Sequence, residues 1–202
     1  MKKVLLVVLI FFTFLVPSAF AAQDKALEAL ETLRHGFAGT ADFTAEIVQE
    51  KQLALMKRKM VSKGVVRFKK PGVFFMELFS PYASRLLLRD NVLTIRLSEQ
   101  GVTDRIVLPP EESLEKWFSY LAKPLTALPE GAEVRAERQG GNWTMQVFPK
   151  SKGGIKELQI SFDGEGKIKR LVIEERNRDR TVIRFANMRR NAGLKDKDFL
   201  LE

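Results

Sequence analysis

Hydrophobic and polar residues recur with two different periods along this chain. Between residues 23 and 38 the apolar positions lie three to four apart, with charged side chains between them. They are Leu27, Leu30, Leu33 and Phe37. This spacing predicts an amphipathic helix, and Gly36 and Gly39 predict its end.

From Phe43 onward the period becomes two, which indicates strands with one apolar face. Phe43, Ala45 and Ile47 alternate with more polar neighbours. Similar segments follow at 58–69, 73–80, 83–89, 92–98, 102–108, 133–139, 142–149, 155–163, 167–175 and 179–187. The short turns between them join antiparallel neighbours. About eleven strands are too many for a flat open sheet, so we expect a strongly curved sheet or a partial barrel.

One stretch interrupts the strand pattern. Four apolar residues within 111–122 have helical spacing: Leu114, Trp117, Phe118 and Leu121. Prolines flank this stretch, and a further apolar segment runs from Leu125 to Leu128. We therefore expect residues 111–128 to form a helical insert between two β halves.

Two strands are apolar on both faces. The run from Val73 to Phe79 is interrupted only by Glu77, and Leu86, Leu87 and Leu88 are consecutive. A sheet with one solvated face alternates strictly, so both faces need cover here, and the helical insert can cover one. Two interpretations remain open at this point. One is an ordinary packed core, and the other is a cavity for an apolar ligand.

The first 21 residues have the features of a cleavable secretory signal peptide. Lys2 and Lys3 precede an apolar run over 4–16, and Ala19 and Ala21 have the spacing that a signal peptidase requires. The alternative is an uncleaved anchor, but the run is shorter than the roughly 20 residues of a membrane span. We therefore expect residues 1–21 to be a cleaved signal and residues 22–202 to be a single domain of an exported protein.

Composition excludes several kinds of chemistry. The chain has no Cys, so it has no lipoprotein anchor, disulfide, thiol nucleophile or Cys-based metal site. Its only His, His35, lies on the first predicted helix without a nucleophile nearby. Glu111 and Glu112 suit a helix N-terminus, and Glu174 and Glu175 point to opposite faces of a strand. We therefore expect no enzyme activity, no cofactor and no metal.

The chain is basic, with a formal net charge of +9, which the loss of the two signal lysines lowers to +7. The basic residues are spread along the chain, and export argues against a nucleic-acid partner. Anionic membranes or acidic partners fit this balance better.

A set of diffuse motifs resembles one family. The chain has Phe43-Thr44-Ala45-Glu46 followed by Gln49, then Gly64-Val65-Val66-Arg67-Phe68-Lys69-Lys70-Pro71, an aromatic strand and Ser80-Pro81. Near the end it has Ile160-Ser161-Phe162-Asp163-Gly164 and a turn with Arg178-Asp179-Arg180. Over nearly the whole mature chain this resembles the LolA family of periplasmic outer-membrane lipoprotein carrier proteins.

The resemblance implies a mainly β fold with helices (α+β), in which an unclosed antiparallel β-barrel and a helical lid enclose an apolar cavity. It implies a monomer in the periplasm of a Gram-negative bacterium, with no catalysis. Its partners are then acylated lipoproteins, the inner-membrane ABC transporter that releases them and an outer-membrane acceptor. The alternative is a related half-barrel that binds another lipid or acts as a lipid-sensing regulatory module of a membrane protein.

Alternation from Phe74-x-Met76-x-Leu78 predicts which residues line the cavity: Ile47, Val66, Phe68, Phe74, Met76, Leu78, Leu93 and Ile95. The expected lid residues are Leu114, Trp117, Phe118 and Leu121. The resemblance further implies a basic latch between barrel and lid before Pro71. Here that position is Lys70 where many family members have Arg, and Lys makes fewer fixed hydrogen bonds.

Overall fold

Eleven antiparallel strands and one helix make up the part of the chain that the structure describes. This computed structural model describes residues 18–56, 59–97, 101–108, 124–150 and 153–201. The helix α1 spans Ser18–Ala38. The strands are β1 (Asp42–Gln52), β2 (Met60–Lys69), β3 (Val73–Leu78), β4 (Ser84–Arg89), β5 (Val92–Leu97), β6 (Val102–Val107), β7 (Ala132–Gln139), β8 (Asn142–Pro149), β9 (Ile155–Asp163), β10 (Ile168–Glu175) and β11 (Arg180–Arg190).

All eleven strands belong to one sheet in the order β6-β5-β4-β3-β2-β1-β11-β10-β9-β8-β7. Every neighbour in the sheet is antiparallel. The sheet is therefore unclosed, with β6 and β7 as its two edges. This confirms the predicted fold class, because short turns after alternating segments join neighbouring strands throughout each half.

The sheet curls around α1. Strands β2 and β7 are six positions apart in the sheet, which is roughly 29 Å if the sheet were flat. Nevertheless Phe68 of β2 and Val134 of β7 belong to a single buried apolar cluster with α1. The helix contacts β1 through the rings of Phe37 and Phe43, whose centroids are 5.8 Å apart. The face that bears this cluster is therefore concave.

Helix α1 presents one apolar stripe to the concave face. Its buried residues follow the helical period and are Ala26, Ala29, Leu30, Leu33 and Phe37. The helix begins at Ser18, earlier than predicted, and ends at Ala38, just before Gly39, as predicted; Gly36 lies inside its last turn and does not end it. Gly36 lies instead against Gly166 in the β9–β10 turn, where a Cβ atom on Gly36 would be 2.8 Å from the Gly166 Cα.

Part of the convex face is covered by the C-terminal segment, for which the sequence pattern gives no signal. The buried carboxylate of Asp42 accepts hydrogen bonds from the backbone N–H groups of residues 192, 193 and 194 and so fixes the start of this segment. A 3-10 turn at Asp196–Phe199 then buries Phe199. Arg67 donates to the Asp198 carbonyl at 3.1 Å and stacks on Phe75. One apolar face of β3 is therefore covered from the convex side.

The predicted helical insert is wrong in its described part. Residues 124–131, between β6 and β7, contain bends and turns and no helix. Pro124 and Pro129 leave only four residues between them, which is too short for a stable helix. Within the described residues, no helix is long and apolar enough to span a membrane.

Candidate functional site

The register places all eight predicted lining residues on the concave face. In an antiparallel pair, residues directly opposite each other share a face. Val66 pairs with Ala45 and Met76, and Phe68 pairs with Phe43 and Phe74. The same face continues through β4 to β5, because Met76 pairs with Leu86 and Leu86 pairs with Ile95. Ile47 and Leu78 both pair with Gly64, and Leu88 pairs with Leu93.

Burial divides these eight residues into two groups. Four are buried in the core cluster that also includes residues of α1: Ile47, Val66, Phe68 and Leu78. The other four are half-buried: Phe74, Met76, Leu93 and Ile95. The first group is therefore part of the core, and only the second group is available to a ligand.

The half-buried group lies on an apolar surface that spans β3 to β5. Leu86 and Leu88 of β4 complete this surface and are half-buried as well. We call these six residues the open wall: Phe74, Met76, Leu86, Leu88, Leu93 and Ile95. On the next strand Ile106 pairs with Leu93 and is 48% exposed. Among the described residues, α1 packs against the other half of the sheet, through β7, β8 and β1.

Lys70 holds the end of α1. Its Nζ donates to the carbonyl of Phe37 at 3.2 Å, in the last turn of the helix. A cation is favourable there because the final carbonyls of a helix lack partners and carry partial negative charge. The residue expected to latch a lid therefore ties the β2–β3 turn to α1.

Glu31 connects α1 to the segment after the expected lid. Its carboxylate accepts a hydrogen bond from the Leu125 backbone N–H and pairs with Arg34 at 2.6 Å. Leu125 and Leu128 pack against the core cluster. Burial would raise the pKa of Glu31, but the hydrogen bonds from Leu125 and Arg34 outweigh it and lower the pKa below 4.5.

A lowered pKa predicts a pH-dependent contact at Glu31. The charged form is stabilised in the folded protein, so its contribution is present above the ordinary pKa of 4.5 and is lost as the pH falls through the lower folded value. We expect Glu31→Gln to reduce stability at pH 7 and to have a smaller effect at pH 3. Urea unfolding at both pH values measures this. An equal loss of stability at both pH values would contradict the lowered pKa of Glu31. Glu28→Gln, at an exposed position of the same helix, serves as the control.

The four expected lid residues, Leu114, Trp117, Phe118 and Leu121, lie outside the described residues. The predicted signal peptide over 1–21 lies largely outside them too. Both assignments stay predictions.

A second concavity lies elsewhere. It has a volume of about 1090 Å³ and surrounds the irregular pairing of β1 with β11. Polar side chains such as Glu46, Arg67 and Arg189 line it, and it contains none of the eight predicted residues. Its mixed lining does not suit an acyl chain, so the open wall is the better candidate for an apolar ligand.

Catalytic groups are scarce in the described part of the chain. No cluster of three or more His, Asp or Glu side chains in the ranges given above could hold a metal ion. The exposed His35 contacts Arg34 at 3.0 Å, and Glu174 forms an ion pair with Arg180. These groups have structural partners and do not converge on a pocket.

Comparison with known proteins identifies the family. The sequence profile of the outer membrane lipoprotein carrier protein LolA matches residues 38–202. The chain belongs to the LolA family. The match covers all eleven strands and the C-terminal turn. It begins at the last residue of α1. Among curated proteins, none matches the chain by sequence.

The chain is similar to several solved structures at low sequence identity. A DUF1329 family protein from Desulfovibrio piger has 13% identity and a TM-score of 0.50, over 88% of this chain and 98% of that one. A LolA superfamily protein from Nitrosomonas europaea has 11% identity and a TM-score of 0.47, over 87% and 97%. The Pseudomonas aeruginosa MucA/MucB complex gives 11% identity and a TM-score of 0.46, over 88% and 61%.

Proposed function

We propose that this protein is a periplasmic carrier of lipoproteins. It binds the acyl chains of lipoproteins released from the inner membrane and delivers them to the outer membrane. The inner-membrane partner is the ABC transporter that releases lipoproteins, and an outer-membrane acceptor receives them. The family membership supports this role, and the predicted signal peptide supports export.

The observation that carries the proposal is the open wall. Six apolar side chains from three adjacent strands remain half-buried on the concave face, while four neighbours on the same face are buried in the core cluster. Burying each methylene group of an acyl chain is worth roughly 0.8 kcal/mol. A concave apolar wall can therefore hold acyl chains in water.

A carrier must also release its cargo. A cavity that retained the whole burial energy of several acyl chains would bind almost irreversibly. Partial cover of the wall by the protein itself lowers the net affinity, because cargo must displace those contacts. The half-buried state of the open wall fits this requirement better than a fully exposed surface.

Site-specific photo-crosslinking tests the cargo site. We expect a benzophenone amino acid at Met76 to capture acylated lipoprotein in the periplasm, because Met76 lies on the open wall. The same group at the adjacent Glu77 points to the convex face, where Glu77 pairs with Arg85 at 2.8 Å. It should therefore capture none.

Comparison of the two positions decides whether acyl chains bind on the concave face. Capture at Met76 and not at Glu77 supports acyl-chain binding on the concave face. Equal capture at both positions, or capture of non-acylated protein alone, would reject the cargo site. Mass spectrometry of the captured product identifies the lipid.

A further inference from the structure

The loop between β1 and β2 ends in an apolar apex. Leu55 is 100% exposed and the adjacent Met56 is 51% exposed. Single exposed apolar residues are common on protein surfaces, but two in succession at the tip of a loop are not explained by packing. We call Leu55 and Met56 the apolar apex.

The structure holds this apex in place. The Met56 N–H donates to the Leu53 carbonyl at 2.9 Å, which closes a tight turn with Leu55 inside it. The Ala54 N–H donates to the Asp179 carboxylate at 2.8 Å, and Asp179 is itself fixed by hydrogen bonds with Asn177. The apex is therefore presented by an ordered turn that is tied to the β10–β11 turn.

Basic residues occur in the loop of the apex and in the turn that is bound to it. Lys59 lies at the end of the loop, and its Nζ is 3.9 Å from Glu50. Arg178 is exposed in the adjacent β10–β11 turn. The next two residues in the sequence after Met56 are Lys57 and Arg58. Exposed apolar side chains with basic residues nearby are the combination that suits the headgroup region of an anionic membrane.

From these features we propose that the apolar apex docks onto anionic lipid bilayers, with Leu55 and Met56 inserted among the headgroups and Lys59 and Arg178 against the lipid phosphates. A protein partner fits less well, because a specific protein interface buries about 800 Å² on each side and two side chains at a loop tip offer far less. The docking requires no bound cargo.

The position of the apex in the fold gives this docking a use. Strand β1 leads directly to the loop, and Lys51 near its end lies on the concave face, opposite Met60 and Thr181. Docking therefore presents this end of the half-barrel, including its concave side, to the lipid surface. The apex is a surface separate from the open wall.

Vesicle co-sedimentation tests the docking with the mature, cargo-free protein. We expect binding to vesicles that contain phosphatidylglycerol and little binding to pure phosphatidylcholine, and we expect high salt to weaken it. Leu55→Asp should lower the partition coefficient roughly tenfold to a hundredfold, because a leucine side chain leaves the bilayer and a negative charge is added. Arg178→Glu should lower it as well.

Matched controls are available in the chain. Val107→Asp changes another highly exposed apolar residue, 76% exposed, on the edge strand β6. Lys167→Glu reverses an exposed charge in the β9–β10 turn, at the opposite end of β10. Both should bind vesicles as the unaltered protein does. The proposal is overturned if the unaltered protein does not sediment with anionic vesicles, if Leu55→Asp binds normally, or if the controls lose binding equally.

Insertion of the apolar apex into the bilayer can also be measured directly by fluorescence. Because the chain has no Cys, Leu55→Cys accepts a single polarity-sensitive fluorophore. Its emission should shift to the blue with anionic vesicles, and the same label in Val107→Cys should not respond. Neither readout uses lipoprotein, so a failure here leaves the cargo test at Met76 unaffected.

Discussion

Replacing Phe68 by alanine should lower the free energy of unfolding by about 3–5 kcal/mol, the usual cost of removing a buried aromatic ring. Phe68 is 1% exposed, and its ring centroid lies 5.4 Å from that of Phe43, which in turn contacts Phe37 of α1. Chemical denaturation measures the loss. A small loss would mean that Phe68 faces a cavity.

Truncations on the open wall should cost little stability and should weaken cargo binding. Leu93 and Ile95 are both half-buried. In the double variant Leu93→Ala/Ile95→Ala each truncation should therefore lower the free energy of unfolding by only about 1 kcal/mol. Cargo affinity should fall about tenfold, which is about 1.4 kcal/mol. Leu87→Ala is the matched control, since Leu87 is a half-buried leucine on the convex face, opposite Phe75. It should cost about as much stability as one of those two truncations and leave cargo binding unchanged.

This contrast shows what the sequence pattern could predict at the site. Alternation identifies a face, and the pairing of Phe68 with Phe74 and of Met76 with Leu86 joins the predicted residues on one face. Alternation carries no information about which part of a face is buried in the core cluster. The division between the buried Phe68 and the half-buried Leu93 therefore required the three-dimensional packing of the chain.

The strands were predictable for a local reason. Period-two patterns and turn residues determine a strand and its neighbour without long-range information. The C-terminal segment had no such signal, because residues 191–201 have neither period. Its position depends on Asp42, about 150 residues earlier, and on the buried Phe199. Contacts of this kind cannot be predicted from spacing.

Gly36 was misinterpreted for a related reason. Glycine commonly follows the last turn of a helix, and Gly36 is close to the end of α1. The structure shows that its missing side chain is needed for contact with the β9–β10 turn. Sequence alone does not distinguish a helix-ending glycine from one that permits close packing.

That contact leads to the second large effect. Gly166 has a φ of +70°, and a Cβ atom there would lie 2.5 Å from the Thr32 carbonyl oxygen of α1. We expect Gly166→Ala to lower the free energy of unfolding by about 3 kcal/mol or more, because backbone strain adds to a collision between two backbones. Gly140→Ala is the control. Gly140 has a φ of +54°, and a Cβ atom there would have no other atom within 4 Å. Gly140→Ala should therefore lower the free energy of unfolding only by the backbone strain, about 1–2 kcal/mol.

Gly36→Ala gives a further test, because its expected effect on stability is opposite in sign to that in an isolated helix. In an isolated helix, replacing an interior glycine by alanine stabilises by about 1 kcal/mol. At Gly36 a Cβ atom would lie 2.6 Å from the Glu165 carbonyl oxygen, so Gly36→Ala should destabilise the protein despite the better helix propensity.

Either variant, Gly166→Ala or Gly36→Ala, must move α1 away from the sheet and loosen the contact of Phe37 with Phe43. Cover over Phe68 and Ile47 would then decrease, and cargo binding should change together with stability. If Gly36→Ala stabilises the protein, the glycines do not set the depth of α1 in the half-barrel.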